Sequence, residues 1–263
     1  MKLIDDGDYK NAKEFGDFVY ARLKNVNLRT LDHLGAKAMY FIAVANEKMG
    51  QLAQVRPLMF DSYKTACLRK DLIGQATITN VILRSYLSQN LYEQARQFII
   101  KTTFPHNASN NQYSRYLYYL GRIKAVQLEY SESQAKLIQA IRKAPEIGAR
   151  GFRIQVLKLQ VIVELLMGEI PNRQIFSPTY LQKPLTPYFQ IVNCVKSGDM
   201  ETFKKILTKY EQVFIADQNF NLITRLKHTV LKFGLKKLNI SYSKISMVDI
   251  QNKLKLDSVE ETE

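Results

Sequence analysis

The chain has 263 residues, 46% of them hydrophobic, and its 38 Lys and Arg against 24 Asp and Glu give a net charge of +14. That apolar content excludes a disordered chain and supports one large core or two small ones, while 7 Pro and 11 Gly in so long a chain favour helices. The charge points to an acidic partner, whether protein, nucleic acid or anionic membrane, and carries no information on fold.

The opening residues, Met1-Lys-Leu-Ile-Asp-Asp-Gly-Asp8, contain neither an apolar signal core nor an Arg-rich transit pattern. A punctuation mark follows that recurs down the first half: Gly or Asn, then an aromatic residue or Leu, then a small residue three positions on. It reads Gly7-Asp-Tyr9-Lys-Asn-Ala12, then Gly50-Gln-Leu52 with Val55 in the small place, then Asn90-Leu-Tyr92-Glu-Gln-Ala95, then Glu129-Tyr130-Ser-Glu-Ser133. The anchors Tyr9, Leu52, Tyr92 and Tyr130 are 43, 40 and 38 residues apart, which predicts a repeat.

The flanks predict helix–turn–helix units. Ile82 and Tyr86 share one helical face, as do Ala95 and Ile99. Leu117-x-x-Leu120-Gly121 leads into the fourth anchor, and Ser133, Leu137, Ala140 and Pro145 follow it. This spacing is close to the tetratricopeptide (TPR) pattern. Small residues such as Ala43 and Gly121 let two helices approach, Leu137 and Ile99 fill the space, and Pro145 cannot continue a helix. Leu117 and Met39 stand where Trp is usual, Lys124 where an aromatic is usual, and Leu83 is large for its place.

Beyond Pro145 the pattern changes. A long apolar helix is predicted from Arg150 to Met167, stopping at Gly168. Its most apolar stretch, Val156 to Met167, includes Lys158 and Glu164 and is too short and too charged to cross a bilayer. The stretch with Pro171, Pro178, Pro184 and Pro187 reads as the longest loop. Ser197-Gly198-Asp199 caps a helix carrying Phe203, Ile206 and Leu207. A further helix over about 219–237 places Ile223, Leu226, Val230 and Phe233 on one buried stripe. The alternation Leu238-Asn-Ile240-Ser-Tyr242 predicts a short strand. Ser246-Met-Val-Asp249 and Ser258-Val-Glu-Glu261 are capping boxes, the first starting a helix with Met247, Ile250 and Leu254. Helix, strand, helix, helix is the front part of a winged helix.

Catalytic signatures are not found. The sequence has no phosphate-binding glycine loop, and His33, His106 and His228 are scattered, so neither cofactor nor metal is expected. His228 reads as a solvated helix side chain. Cys194 reads as a small buried residue. With Cys67 far away and no Cys-x-x-Cys pair, the thiols fit a reducing compartment. Asp5 and Asp6 read as a solvated turn, and the acceptor patterns at Asn107 and Asn239 as chance. Residues 225–255 are the most basic segment: Arg225, Lys227, Lys232, Lys236, Lys237, Lys244, Lys253 and Lys255 against Asp249 alone.

Three segments carry a family resemblance: Asn111-Gln-Tyr-Ser-Arg-Tyr-Leu-Tyr-Tyr-Leu-Gly-Arg-Ile-Lys124, Val163-Glu-Leu-Leu-Met-Gly-Glu-Ile-Pro171, and Asn239-Ile-Ser-Tyr-Ser-Lys-Ile-Ser-Met-Val-Asp-Ile250. Together they resemble the non-ATPase regulatory subunit 3 family of the 26S proteasome lid. The resemblance implies an all-α chain: a right-handed superhelix of TPR-like pairs over 1–112, then a PCI domain over 113–263. The PCI part would be helical to about 237, with an incomplete winged helix from 238. Lid assembly for ubiquitin-dependent degradation, in cytoplasm and nucleus, is the implied role, without enzymatic activity.

Implied partners are other PCI subunits and a small acidic lid subunit, with no membrane, no nucleic acid and no homo-oligomer expected. A signalosome or initiation-factor PCI subunit, or a nucleic-acid-binding PCI adaptor, are the alternatives. The candidate partner-binding residues are Arg225, Lys232, Lys236, Lys237, Ile240, Tyr242, Lys244 and Ile245, with the strand near Ile240 adding to a neighbour's sheet edge. Met1 falls just before a repeat turn and Glu263 just after a capping box, so the expectation is a chain shortened at both ends, without wing strands or a C-terminal bundle helix.

Overall fold

The computed structural model describes residues 2–24, 26, 28–145, 148–242, 244–246, 249 and 253. Their regular secondary structure is all helical, with no strand among them. In chain order the helices are α1 (Lys2–Asp5), α2 (Tyr9–Lys24), α3 (Asp32–Lys48), α4 (Leu52–Leu68), α5 (Leu72–Ser88), α6 (Tyr92–Lys101), α7 (Asn110–Val126), α8 (Tyr130–Lys143), α9 (Arg150–Met167), α10 (Thr179–Ser197), α11 (Met200–Ala216) and α12 (Phe220–Ser241). They divide into two compact units, one of residues 1–123 with 142–145, the other of 124–141 with 146–263.

The repeat anchors are the first residues of α2, α4, α6 and α8. Each follows one type of turn. Gly7, Gly50, Asn90 and Leu128 have φ of +81°, +72°, +58° and +69°. The amide after each donates back five residues, as in Gln51 N–H to Asn46 O (2.9 Å), Leu91 N–H to Tyr86 O (3.0 Å) and Glu129 N–H to Lys124 O (3.0 Å). This Schellman closure satisfies the carbonyls a helix end leaves open and reverses the chain within a few residues. The small residue three places after the anchor is buried in every case: Ala12, Val55, Ala95 and Ser133.

In the first unit, α3 packs on α2 and α5, and α4 on α5. Met39, Ile42, Met59, Ile82 and Leu83 are fully enclosed in a core that Tyr86 and Phe98 extend. Leu83, large for a TPR-like position, is accommodated with no exposure at all. Phe60 meets Phe98 edge-on at 5.8 Å, a geometry that adds to simple area burial.

In the second unit, α9 runs from Arg150 to Met167 and ends at Gly168 in the left-handed region, as its sequence predicts. Every residue from Val156 to Leu165 is buried, including Lys158 and Glu164. The Lys158 ammonium pairs with Asp217 at 2.7 and 2.9 Å. Tyr188 donates to the same carboxylate at 2.8 Å, and Asn219 donates to the Tyr188 hydroxyl at 3.2 Å. A buried pair on this scale persists only because hydrogen bonds satisfy both charges.

Two expectations need correction. Pro184 and Pro187 are not in a loop but inside α10. Leu181, Leu185, Tyr188, Ile191, Val192 and Val195 are buried along that helix, and this continuous stripe outweighs the backbone bonds the prolines remove. The remaining loop holds a short 3-10 turn, Arg173–Phe176. The strand over 238–242 is not formed either. α12 continues to Ser241, and the Tyr242 amide still donates to Leu238 O at 3.0 Å. No Pro or Gly stands between Lys237 and Ser241, so nothing breaks the helix, and five alternating residues carry too little periodicity to oppose it.

Candidate interaction surface

α12 carries most of the candidate partner-binding residues, and its buried side fixes where they point. Ile223, Leu226 and Val230 are fully enclosed, Phe233 half-buried and Gly234 buried. Gly234 meets Gly198, the left-handed cap of α10, so closely that a Cβ on Gly198 would lie 2.5 Å from the Gly234 Cα. The two glycines therefore set how near α12 lies to the end of α10. The next turn is held by Asp199, whose carboxylate accepts from the amides of Glu201 and Thr202 and caps α11.

The opposite side of α12 is exposed and basic. Lys232 and Lys236 lie one turn apart, and Ile240, 83% exposed, continues the same stripe. Leu235, 46% exposed, sits beside them. Lys237 is exposed on the flank. None of these three lysines has a carboxylate at ion-pair distance among the described residues. A stripe that sets ammonium groups beside bare aliphatic side chains suits a partner presenting carboxylates around an apolar ridge.

The other candidates fall differently. Arg225 is half-buried, and its guanidinium donates to the Val126 carbonyl at 3.1 Å, the last residue of α7, so it serves internal packing. Tyr242 is exposed, with the Lys253 ammonium 2.6 Å from its hydroxyl and 4.5 Å from its ring centre. Lys244 is exposed and Ile245 half-buried. Because 238–241 are helical, their N–H and C=O groups point along the helix axis and give no sheet edge for a neighbouring strand, which removes the edge-addition mechanism. Leu235 was not among the candidates. Helical spacing from Lys232 would have found it, whereas a strand beginning at Leu238 conceals it.

The Ser246 hydroxyl accepts from the Asp249 amide at 3.2 Å and donates to its carboxylate at 2.7 Å, so the first capping box closes in this half. Met247, Ile250, Leu254 and the second capping box, Ser258 to Glu261, lie outside the described residues. Among the described residues no three His, Cys, Asp or Glu side chains gather as a metal site, and no helix is long and apolar enough to cross a membrane. His33, His106 and His228 are exposed. Burial, reinforced by the nearby Asp199 charge, pushes the Cys194 thiol up to about 12, so it is a hydrogen-bond donor to the Asp199 carbonyl rather than a nucleophile.

Comparison with known proteins places this architecture. Residues 1–192 match the family described as PSMD3-like, N-terminal TPR repeats, and residues 207–263 match the PCI domain. The chain is 45% identical over 255 residues to the 26S proteasome non-ATPase regulatory subunit 3 of Dictyostelium discoideum, covering 97% of this chain and 51% of that protein. It is 44% identical over 256 residues to homolog A of that subunit in Arabidopsis thaliana, covering 97% and 52%. With the Drosophila melanogaster protein named probable 26S proteasome non-ATPase regulatory subunit 3 it shares 42% over 263 residues, covering 100% and 53%. The chain thus spans about half the length of the curated relatives it matches.

Proposed function

Since the chain belongs to the PSMD3-like family of TPR repeats followed by a PCI domain, we propose that it is a structural, non-catalytic subunit of the 26S proteasome regulatory particle lid, acting in ubiquitin-dependent protein degradation. The observation that carries this reading is identity of 41–45% over nearly the whole chain to proteins named as that subunit. A shared fold alone would leave function open. Identity sustained through both the repeat and the PCI residues supports a shared role.

In this reading residues 1–112 are the TPR-like array and 113–263 the PCI part. The chain works by placement: rigid helix pairs hold recognition surfaces at fixed positions for other PCI subunits. The basic stripe of Lys232, Lys236 and Lys237 with Leu235 and Ile240 is the surface proposed to meet them or a small acidic lid subunit, in cytoplasm and nucleus. The mixture of ammonium and aliphatic groups favours a protein over nucleic acid, which is gripped by runs of phosphate contacts and stacked bases.

The test is a charge and apolar reversal on that stripe: Lys232→Glu, Lys236→Glu and Ile240→Asp in one chain. All three side chains are exposed, so folding should be retained. Loss of lid subunits from the purified variant, with an unchanged far-UV circular dichroism spectrum, is the expected result. Full recovery of those subunits would show that the stripe is a solvated face.

A further inference from the structure

Within the first unit, helix α2 leaves one face bare. Ala12 and Gly16 are buried, and Gly16 lies against the Ile42 side chain of α3. These small residues seat α2 on α3 and turn its opposite side outward. There Phe15 and Phe18 stand one turn apart, 63% and 54% exposed. An enclosed phenylalanine removes about 150–250 Å2 from water. Two such rings, more than half bare on one helix face, form a patch rather than scattered exposure. A helix at the edge of a repeat array keeps its free face polar unless something packs on it.

Charge frames the two rings. Glu14 and Arg22 are exposed, and neither has an ion-pair partner among the described residues. The Arg22 guanidinium lies over the Phe18 ring, 4.4 Å from its centre. Glu14, Phe18 and Arg22 follow one another at four-residue spacing, so they form a single ridge with the ring midway between opposite charges. Such a ridge is complementary to itself reversed. The commonest crossing of two helices seats ridges of this spacing in each other's grooves. Laid antiparallel on a second copy in that way, the ridge sets Glu14 against Arg22 of the other copy at both ends and Phe18 against Phe18 at the centre. Phe15, on the neighbouring ridge, closes the groove that receives the second Phe18.

We propose that α2 is a self-association surface through which two copies of this chain pair about a two-fold axis at Phe18. A foreign helix would have to reproduce the reversed charge order that a second copy already carries. A membrane or a polynucleotide fits less well, since Glu14 and Arg22 cancel on this ridge and leave no net charge to draw headgroups or phosphates. One helix-on-helix contact is small against the roughly 800 Å2 per partner of a standard interface, so the pairing is weak and depends on concentration. The family resemblance implied no homo-oligomer; the proposal rests on this face alone and is independent of the lid reading.

Sedimentation velocity of the whole chain from about 1 μM to about 300 μM, the range in which a contact of this size associates, tests it. The mass should rise from that of one chain towards that of two. Phe18→Asp should hold the chain monomeric throughout. Glu14→Arg and Arg22→Glu should each raise the dissociation constant at least tenfold, since each brings like charges together. An equimolar mixture of these two variants should associate again, because an all-basic ridge then meets an all-acidic one. Leu68→Asp, at an 87% exposed aliphatic position on α4, should leave the pairing unchanged. The charge variants keep both rings and so keep the test decisive if Phe18→Asp melts early. The proposal is overturned if the unaltered chain stays monomeric at the highest concentration, which would leave the face to a different protein. It is equally overturned if a folded Phe18→Asp chain associates as before, if mixing the two charge variants restores nothing, or if Leu68→Asp dissociates the pair.

Discussion

Replacing Gly198 by Ala separates two costs that the structure keeps distinct. Gly198 has φ of +75°, and a Cβ there would fall 2.5 Å from the Gly234 Cα and 2.8 Å from its nitrogen. Holding an alanine in the left-handed region costs about 1–2 kcal/mol. The Cβ contact is with backbone, well inside the usual ~3.5–4.0 Å carbon separation, so α12 must retreat, an overpacking cost of about 1–3 kcal/mol. Gly168 closes α9 with φ of +84° and has nothing within 4 Å of a Cβ, so Gly168→Ala carries the backbone cost alone. Urea unfolding followed by circular dichroism should therefore show Gly198→Ala less stable than Gly168→Ala by about 1–3 kcal/mol. Losses equal within ~0.5 kcal/mol would refute the idea that the two glycines set the position of α12.

Asp217→Ala strands the Lys158 ammonium, 9% exposed as a side chain, and should cost about 3–5 kcal/mol of stability. Adding Lys158→Met to that variant should recover most of the loss, and no recovery would mean that Asp217 acts mainly through Tyr188. Burial raises the Cys194 pKa in the folded chain, so its contribution to stability is complete below the unfolded thiol value of about 8.5 and declines as pH rises from there towards about 12. At about pH 8 a disulfide reagent should titrate the exposed Cys67 quickly and Cys194 only after denaturation; two fast thiols would contradict this. Carbon chemical shifts of Asn239, Ile240 and Ser241 should be helical, and strand-like shifts would restore the sheet-edge mechanism.

The repeat was legible because its turns depend on residues that tolerate positive φ. Gly7, Gly50 and Asn90 announce themselves, and Tyr9, Leu52, Tyr92 and Tyr130 begin helices as their spacing implies. Turns at Lys70 and Gln218 use the same backbone with no such marker in the sequence. Leu128, at +69° and 64% exposed, is marked only by the anchor that follows it. Pro184 and Pro187 misled because propensity is local while the burial of Leu185 and Tyr188 is tertiary.

At the candidate surface, Lys232, Lys236 and Lys237, singled out by charge, are exposed on α12. Charge could not show that Arg225 turns inward to the Val126 carbonyl.

Membership of a proteasome lid assembly is tested by affinity purification of the tagged chain from its own cells, followed by mass spectrometry. Co-purification of lid PCI subunits, a small acidic subunit and proteasomal peptidase activity is the predicted result. Recovery of signalosome, initiation-factor or RNA-processing proteins in their place would contradict it.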